Sequence, residues 1–311
     1  MSGKELRPFL NQLRDGYHRK EFLNSDPLEF VHRYPDPWDQ EAVALIAALL
    51  AYGNVKQIRR SVADALKRME AEAGSPSAYV RALHQKQEGT PDRAFQGFVH
   101  RFNRGEDLVL LLGLLAKSWN QHGSLGAHFT SYLSPQDRTF EFALDQLIAE
   151  WRLWAGGRAG TSFSYLLTAP KDGSCCKRWC MFLRWMGRKD ELDPGLWTRE
   201  GALSKTFASG RFLRPDQLVI PIDTHTGRLS QFMGLTHRKS LNWKAANEIT
   251  DALRSCDSAD PVSYDFALAR MGILDLCRGK FVSEICTKCG LFPVCQFAQR
   301  RSRRQKKSSV S

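Results

Sequence analysis

Apolar residues recur at helical spacing along most of the chain, and the alternation typical of strands is nearly absent. The stretch from Ala42 to Tyr52 is apolar on all sides, which predicts a helix in the centre of a domain. Asp39 is the expected cap at its start, and Gly53-Asn54 the expected break at its end. The sequence therefore predicts an all-α protein built around this buried helix.

The next predicted helix is amphipathic and basic. Its apolar face is formed by Val55, Ile58, Val62, Leu66 and Met69. Further helices are predicted at Ser77–Leu83, Phe95–Phe102, Asp107–Asn120, Leu125–Leu133, Thr139–Trp154, Ser164–Thr168, Cys176–Met186, Thr224–Phe232, Trp243–Arg254 and Pro261–Leu276. Asp260 is the expected cap of the last one, with Pro261 in its first turn.

Charge is where the composition departs from an ordinary globular protein. Hydrophobic residues make up 42% and charged residues 25% of 311 positions, but Lys and Arg exceed Asp and Glu by 12. Six of the cations lie within the last dozen residues, which leaves +6 for the remainder. We expect residues 299–311 to form a disordered basic tail. The basic excess is compatible with a polyanionic partner.

No segment of the sequence predicts a membrane protein. The N-terminus lacks the apolar core of a signal peptide, and the longest apolar run, Leu108 to Ala116, is too short to span a bilayer. The sequence predicts a cytoplasmic protein without membrane contact. Because thiols stay reduced there, the eight cysteines point to metal binding, catalysis or burial rather than to disulfides.

Half of the cysteines fall within 19 residues near the C-terminus. Cys277, Cys286, Cys289 and Cys295 follow the spacing C-x8-C-x2-C-x5-C. Four thiolates without histidine suit a [4Fe–4S] cluster, with tetrahedral Zn²⁺ as the alternative. Four thiols buried as small hydrophobic groups are the plainer alternative. The remaining four cysteines lack such spacing and are expected to be packing residues.

A segment about fifty residues before these cysteines adds a family resemblance. Ile222-Asp223-Thr224-His225, followed by four terminal cysteines, resembles the endonuclease III branch of the helix-hairpin-helix (HhH-GPD) DNA glycosylases. Their cysteine spacing is C-x6-C-x2-C-x5-C, so the first gap here is two residues longer. The segment "ALLAYGNVKQI", at positions 48–58, looks like the buried helix and DNA-inserting turn of that family.

The hairpin departs from the family pattern. The family usually shows L-P-G-x-G-x-K-T-A, whereas Pro170, Gly173 and Lys177 keep the order without the paired glycines. Lys177 also lies 46 residues before Asp223, farther than in endonuclease III. The stretch "KRWCMFLRWM", which begins at Lys177, is similar to an uncharacterised bacterial family within or near this superfamily.

The resemblance implies a two-lobed, all-α DNA glycosylase fold. A helical-barrel lobe would span residues 30–215, with an insertion around 70–150 and the divergent hairpin. A second lobe, residues 1–29 plus 216–298, would hold the iron–sulfur cluster. DNA would lie between the lobes, and we expect a monomer.

Two residues would perform base excision if the resemblance holds. Asp223 would stabilise the cationic sugar or activate a nucleophile, although an aspartate before a helix can also serve only as its cap. Lys177 would attack C1′ and form the Schiff base of an abasic-site lyase; a surface or phosphate-contacting lysine is the alternative. Without a catalytic Lys177, Asp223 could activate water.

The other expected contacts are with DNA. Asn54 and Gln57 would fill the gap left by a flipped nucleotide, while Arg178 and Arg228 would lie near the strand. A helix cap, a surface amide and ordinary helix arginines are the structural alternatives. A non-catalytic nucleic-acid-binding module with the same fold and cluster is the rival function, and the missing glycine pair favours it.

Overall fold

The computed structural model describes residues 3–85 and 92–308, and within them the chain is predominantly helical, which confirms the all-α prediction. The helices are α1 (Gly3–Tyr17), α2 (Pro37–Leu49), α3 (Val55–Ala73), α4 (Pro76–Gln85), α5 (Gly105–His122), α6 (Leu125–Ser131), α7 (Glu141–Ala155), α8 (Thr161–Leu166), α9 (Lys177–Gly187), α10 (Thr224–Met233), α11 (Trp243–Arg254), α12 (Asp265–Ile273), α13 (Ser283–Cys286) and α14 (Gln296–Ser308). In the described part of the chain, no helix is long and apolar enough to cross a membrane.

The central helix α2 is buried along its length, as its uniformly apolar sequence predicts. Every residue from Glu41 to Leu49 is buried, and α2 packs against α4 and α9. Its cap is Asp36 rather than Asp39, because Pro37 occupies the first helical position and Asp36 Oδ1 accepts from the amide of Trp38 at 2.7 Å. The Asp39 carboxylate instead accepts from the amide of Ser77 at 2.7 Å, which ties α2 to α4.

Glu41 is a fully buried carboxylate on α2. It accepts hydrogen bonds from the indole N–H groups of Trp119 and Trp197, both at 2.6 Å, and from the amides of Leu125 and Gly126, both at 3.1 Å. These donors belong to α5, to the loop after α9 and to the start of α6. One side chain therefore joins four parts of the fold.

Replacing Glu41 by alanine is expected to lower the free energy of unfolding by more than about 3 kcal/mol, because each buried donor left without an acceptor costs about 1–3 kcal/mol. Urea denaturation of both proteins measures the difference. The exposed Glu191→Ala variant is the control and should differ from the parent by less than about 0.5 kcal/mol. Equal midpoints for Glu41→Ala and the parent would contradict this role.

The prediction of a helix at Phe95–Phe102 is wrong. A turn with Gly97 at φ +73° leads into a short antiparallel hairpin, β1 (Val99–His100) and β2 (Asn103–Arg104). His100 is buried and its Nδ1 lies 2.9 Å from Ser61 Oγ on α3, so tertiary contacts fix the hairpin. The strand turn leaves Phe102 at the surface, 47% exposed.

The N-terminal helix packs against the C-terminal part of the chain. α1 contacts α11 and α12, and α10 lies between α12 and α14. The helix predicted at Pro261–Leu276 is shorter in the structure, where α12 spans Asp265–Ile273. Asp260 does not cap it; its carboxylate accepts instead from Arg188 Nε at 2.8 Å.

Residues 299–308, which were predicted to belong to a disordered tail, are part of helix α14. α14 extends to Ser308; residues 309–311 lie outside the described residues. Phe297 stacks on Phe232 of α10 at 4.2 Å between ring centroids, and Ala298 is buried. These contacts anchor the first turn, and the Arg, Gln and Lys residues that follow favour helix propagation.

Candidate active site and cysteine pocket

Lys177 is the first residue of α9, at the end of a tight turn. The turn contains a 3₁₀ segment, Pro170–Asp172, and two left-handed residues, Gly173 (φ +76°) and Cys176 (φ +48°). Lys177 is half-buried, and its Nζ lies 3.5 Å from the carbonyl oxygen of Ala51 just after α2. The side chain of Lys177 therefore extends from the start of α9 to the turn that precedes α3.

Arg178 is buried rather than directed toward a ligand, which corrects the prediction that it contacts DNA. It is 6% exposed, and its guanidinium donates to the carbonyl oxygens of Leu49, at 2.9 Å, and Tyr165. It also lies over the rings of Tyr165 and Tyr52, 4.1 and 5.2 Å from their centroids. Arg178 thus fixes α9 to the end of α2 and to α8.

Asp223 is the N-cap of α10 and is partly exposed. Its Oδ1 accepts from the amides of His225, at 2.8 Å, and Thr226, at 2.9 Å. Oδ1 accepts both hydrogen bonds, and Oδ2 accepts none from the described residues. The capping role is therefore present, and the second oxygen is available for another partner.

The segments that carry Lys177 and Asp223 are in direct contact. Cys175 Sγ lies 3.6 Å from the carbonyl oxygen of Ile222. This contact joins the residue two before Lys177 to the residue one before Asp223. The lysine and the aspartate, 46 positions apart in sequence, are therefore brought to adjoining segments of one region.

A buried ionic network lies behind this region, and it was not anticipated from the sequence. Arg184 of α9 pairs with Asp265 at the start of α12 and with Asp193 at 3.2 Å. Burial raises the pKa of Asp265 to about 6; Arg184 opposes the rise, while the charges of Asp193 and Asp223 add to it. Asp223 therefore lies near this network, which connects α9 with α12.

Asn54 and Gln57 lie at the turn between α2 and α3. Asn54 caps α3 rather than ending α2, since its Oδ1 accepts from the amide of Lys56 at 2.9 Å. Asn54, Lys56, Gln57 and Arg60 line one open surface pocket. Because Ala51 contacts Lys177, this basic surface adjoins the lysine.

Arg228 of α10 faces the cysteine segment. Its guanidinium packs against Gly279, whose φ of +71° favours glycine at that position. Arg228 lines a small pocket together with His225, Cys277 and Gly279. It thus supports the loop after Cys277 rather than the region around Lys177.

All four C-terminal cysteines line one pocket. Its wall is otherwise mainly apolar, with Leu229, Phe232 and Phe292 among the lining residues, and Arg278 and Lys280 border it. Each of the four thiols is half-buried.

Backbone amides and cations surround the sulfur atoms of this pocket. The amides of Val282 and Ala298 lie 3.5 Å from Cys286 Sγ and 3.4 Å from Cys295 Sγ. Burial raises the pKa of Cys295, and the other three thiols of the pocket add to the rise, so the sulfur atoms are mutual neighbours. Backbone donors to sulfur and nearby cations stabilise a negatively charged iron–sulfur centre. Within residues 3–85 and 92–308, no three His, Cys, Asp or Glu side chains are placed to hold one metal ion.

The other four cysteines behave as predicted for packing residues. Cys176, Cys180 and Cys256 are buried, and Cys175 is half-buried. Burial raises the pKa of Cys176 to about 12 and that of Cys180 well above its usual value. None of these four residues lines the pocket of the C-terminal cysteines.

The family model described as "Protein of unknown function (DUF2400)" matches residues 26–274, and the chain therefore belongs to that family. The match covers α2 to α12 and includes Lys177 and Asp223, but it ends before all four pocket cysteines. No curated protein and no solved structure matches the chain.

Proposed function

We propose that this member of the DUF2400 family is a DNA glycosylase of the HhH-GPD type that excises a damaged base and cleaves the strand through Lys177. The observation that carries the proposal is the contact between Cys175 and Ile222, which brings the segments of Lys177 and Asp223 together. Excision with strand cleavage requires an amine nucleophile and a carboxylate in one region.

Each side chain has a distinct role in the proposed reaction. The neutral amine of Lys177 attacks C1′, and the electron pair of the N-glycosidic bond departs with the base, which takes up a proton. The carboxylate of Asp223 stabilises the positive charge that develops on the sugar. Ring opening then gives the Schiff base. It loses a proton from C2′ to solvent as the C3′–O bond breaks, a C2′–C3′ double bond forms and the 3′ phosphate leaves.

The surroundings support DNA as the substrate. The first amides of α9 have no partner one turn earlier within the helix, and such amides bind a phosphate without reading sequence. Lys56 and Arg60 line the adjoining surface pocket and add positive charge. An extruded nucleotide held at Lys177 would have its phosphates next to these cations.

The cysteine pocket is proposed to hold a [4Fe–4S] cluster through Cys277, Cys286, Cys289 and Cys295. The cluster would brace the loop between α12 and α14, and the chemistry it supplies when bound is electron transfer. Arg228 and Gly279 pack beside that loop, so its order is coupled to the position of α10, which begins after Asp223.

Lys177→Ala is expected to abolish the covalent complex that borohydride traps between the protein and DNA with an abasic site. The nucleophilic amine is lost, whereas DNA binding should change little because one cation is removed. The control is Lys171→Ala, an exposed lysine of the same turn, which should trap as the parent does.

Base release that survives in Lys177→Ala but is lost in Asp223→Asn would assign the chemistry to water activated by Asp223. A parent protein that binds DNA but neither traps nor releases any base from a panel of lesions would contradict the enzyme. That outcome would favour the non-catalytic binding module.

A further inference from the structure

Three aromatic rings form an exposed cluster beside Lys177. Tyr52, Phe102 and Tyr165, here termed the aromatic cluster, have ring centroids 4.9–5.4 Å apart. They come from the end of α2, the β1–β2 turn and α8. Phe102 is 47% and Tyr165 is 40% exposed. A contiguous exposed apolar patch, unlike a single exposed side chain, marks a binding site.

The aromatic cluster is held rigidly from below. The buried guanidinium of Arg178 lies against the faces of Tyr165 and Tyr52. The hydroxyl of Tyr52 also contacts Asn103 Oδ1 and lies 3.2 Å from the carbonyl oxygen of His100. A ring surface fixed in advance loses little conformational entropy when a flat ligand stacks on it.

The cluster adjoins the proposed reaction centre. The Ala51 carbonyl that contacts Lys177 Nζ belongs to the residue directly before Tyr52. Neighbouring nucleotides along one DNA strand are separated by only about 3.4 Å of helix rise. A strand whose sugar lies at Lys177 therefore has its adjacent bases within reach of these rings.

The charge around the cluster favours a nucleic acid over an apolar partner. Arg101, in the same turn as Phe102, lies across Gly53, with its Cδ and Nη1 3.0 Å from where a side chain on that glycine would begin. Arg101, Arg104 and Lys56 are exposed and form no ion pair with any residue in the described part of the chain. Rings bordered by unpaired cations match a ligand that has both flat faces and phosphates.

We propose that the aromatic cluster is a stacking platform for an unpaired DNA base next to the nucleotide held at Lys177. The inference rests on the proposed function, because the sugar held at Lys177 determines where the neighbouring bases of the DNA strand lie. Its consequence is a preference for DNA in which bases beside the lesion are already unpaired.

The test measures the dissociation constant for DNA that contains a tetrahydrofuran abasic analogue flanked by unpaired bases. Phe102→Ala is expected to weaken binding by about 5- to 150-fold, the usual effect of one lost base–aromatic stack. Phe102→Trp should retain the parent affinity, and Phe102→Leu should lose it, because stacking needs a π-face rather than apolar area. Phe142→Ala, 57% exposed on α7, is the matched control and should leave binding unchanged.

A fluorescent 2-aminopurine at the unpaired position reports the stack directly, and its quenching should disappear in Phe102→Ala. Equal affinity and equal quenching for the parent and Phe102→Ala would overturn the platform, even if base release is intact. If the parent releases no base but Phe102→Ala still loses affinity and quenching, the platform stands and the glycosylase proposal alone fails.

Discussion

Asp223→Asn is expected to lower the rate of base release by about 100- to 1,000-fold without loss of fold. Asparagine removes the negative charge that would face the cationic sugar, and loss of one preorganised electrostatic group typically costs this much. Asparagine caps helices as well as aspartate does, so its side-chain oxygen can keep the bonds to the amides of His225 and Thr226. Single-turnover assays on lesion-containing duplexes measure the rate.

Asp36→Asn is the matched control for this prediction. Asp36 caps α2 through the amides of Trp38 and Asp39, as Asp223 caps α10, but lies at the opposite end of α2 from Ala51. It should release base at the parent rate. Thermal unfolding of both variants should stay within a few degrees of the parent. Full activity of the Asp223→Asn protein would show that Asp223 serves only as a helix cap.

Cys289→Ser is expected to remove the iron–sulfur centre. The parent, purified without oxygen, should contain about four iron and four sulfide ions per chain and absorb visible light. Because one ligand of four is lost, Cys289→Ser should contain almost none and unfold at a lower temperature. Iron, sulfide and zinc analyses measure the content.

Cys256→Ser serves as the control because Cys256 is also a free cysteine but is buried and does not line the cysteine pocket. It should keep its full iron content. About one zinc ion per parent chain, without iron or sulfide, would assign the pocket to Zn²⁺ instead. A parent with neither metal, and unchanged stability in Cys289→Ser, would leave the four cysteines as packing residues.

Local chemistry determined much of the fold. The apolar stripe of Trp243–Arg254 predicted α11 to the residue, and the uniformly apolar stretch after Ala42 placed α2 in the core. Both predictions depend on the pattern of apolar side chains, which can be read directly from the sequence. The sequence also offered capping of α10 as an alternative role for Asp223, since an aspartate accepts bonds from amides two and three residues later, and Asp223 does cap that helix.

Long-range contacts decided what local patterns could not. The stretch before Phe102 reads as a helix, yet the bond between His100 and Ser61 holds it as a hairpin and exposes the ring. Arg178 was predicted to contact DNA, but carbonyl oxygens and two ring faces hold it inside the protein. In both cases the deciding partner lies far away in the sequence.

The same division applies to the candidate site. The sequence by itself selected the four C-terminal cysteines by their spacing, and it selected Lys177 and Asp223 by their resemblance to the HhH-GPD DNA glycosylases. Only the tertiary structure joined the segments of Lys177 and Asp223 through Cys175 and Ile222, and set three aromatic rings near Lys177. Proximity between distant residues depends on how the helices pack, and no short stretch of sequence contains that information.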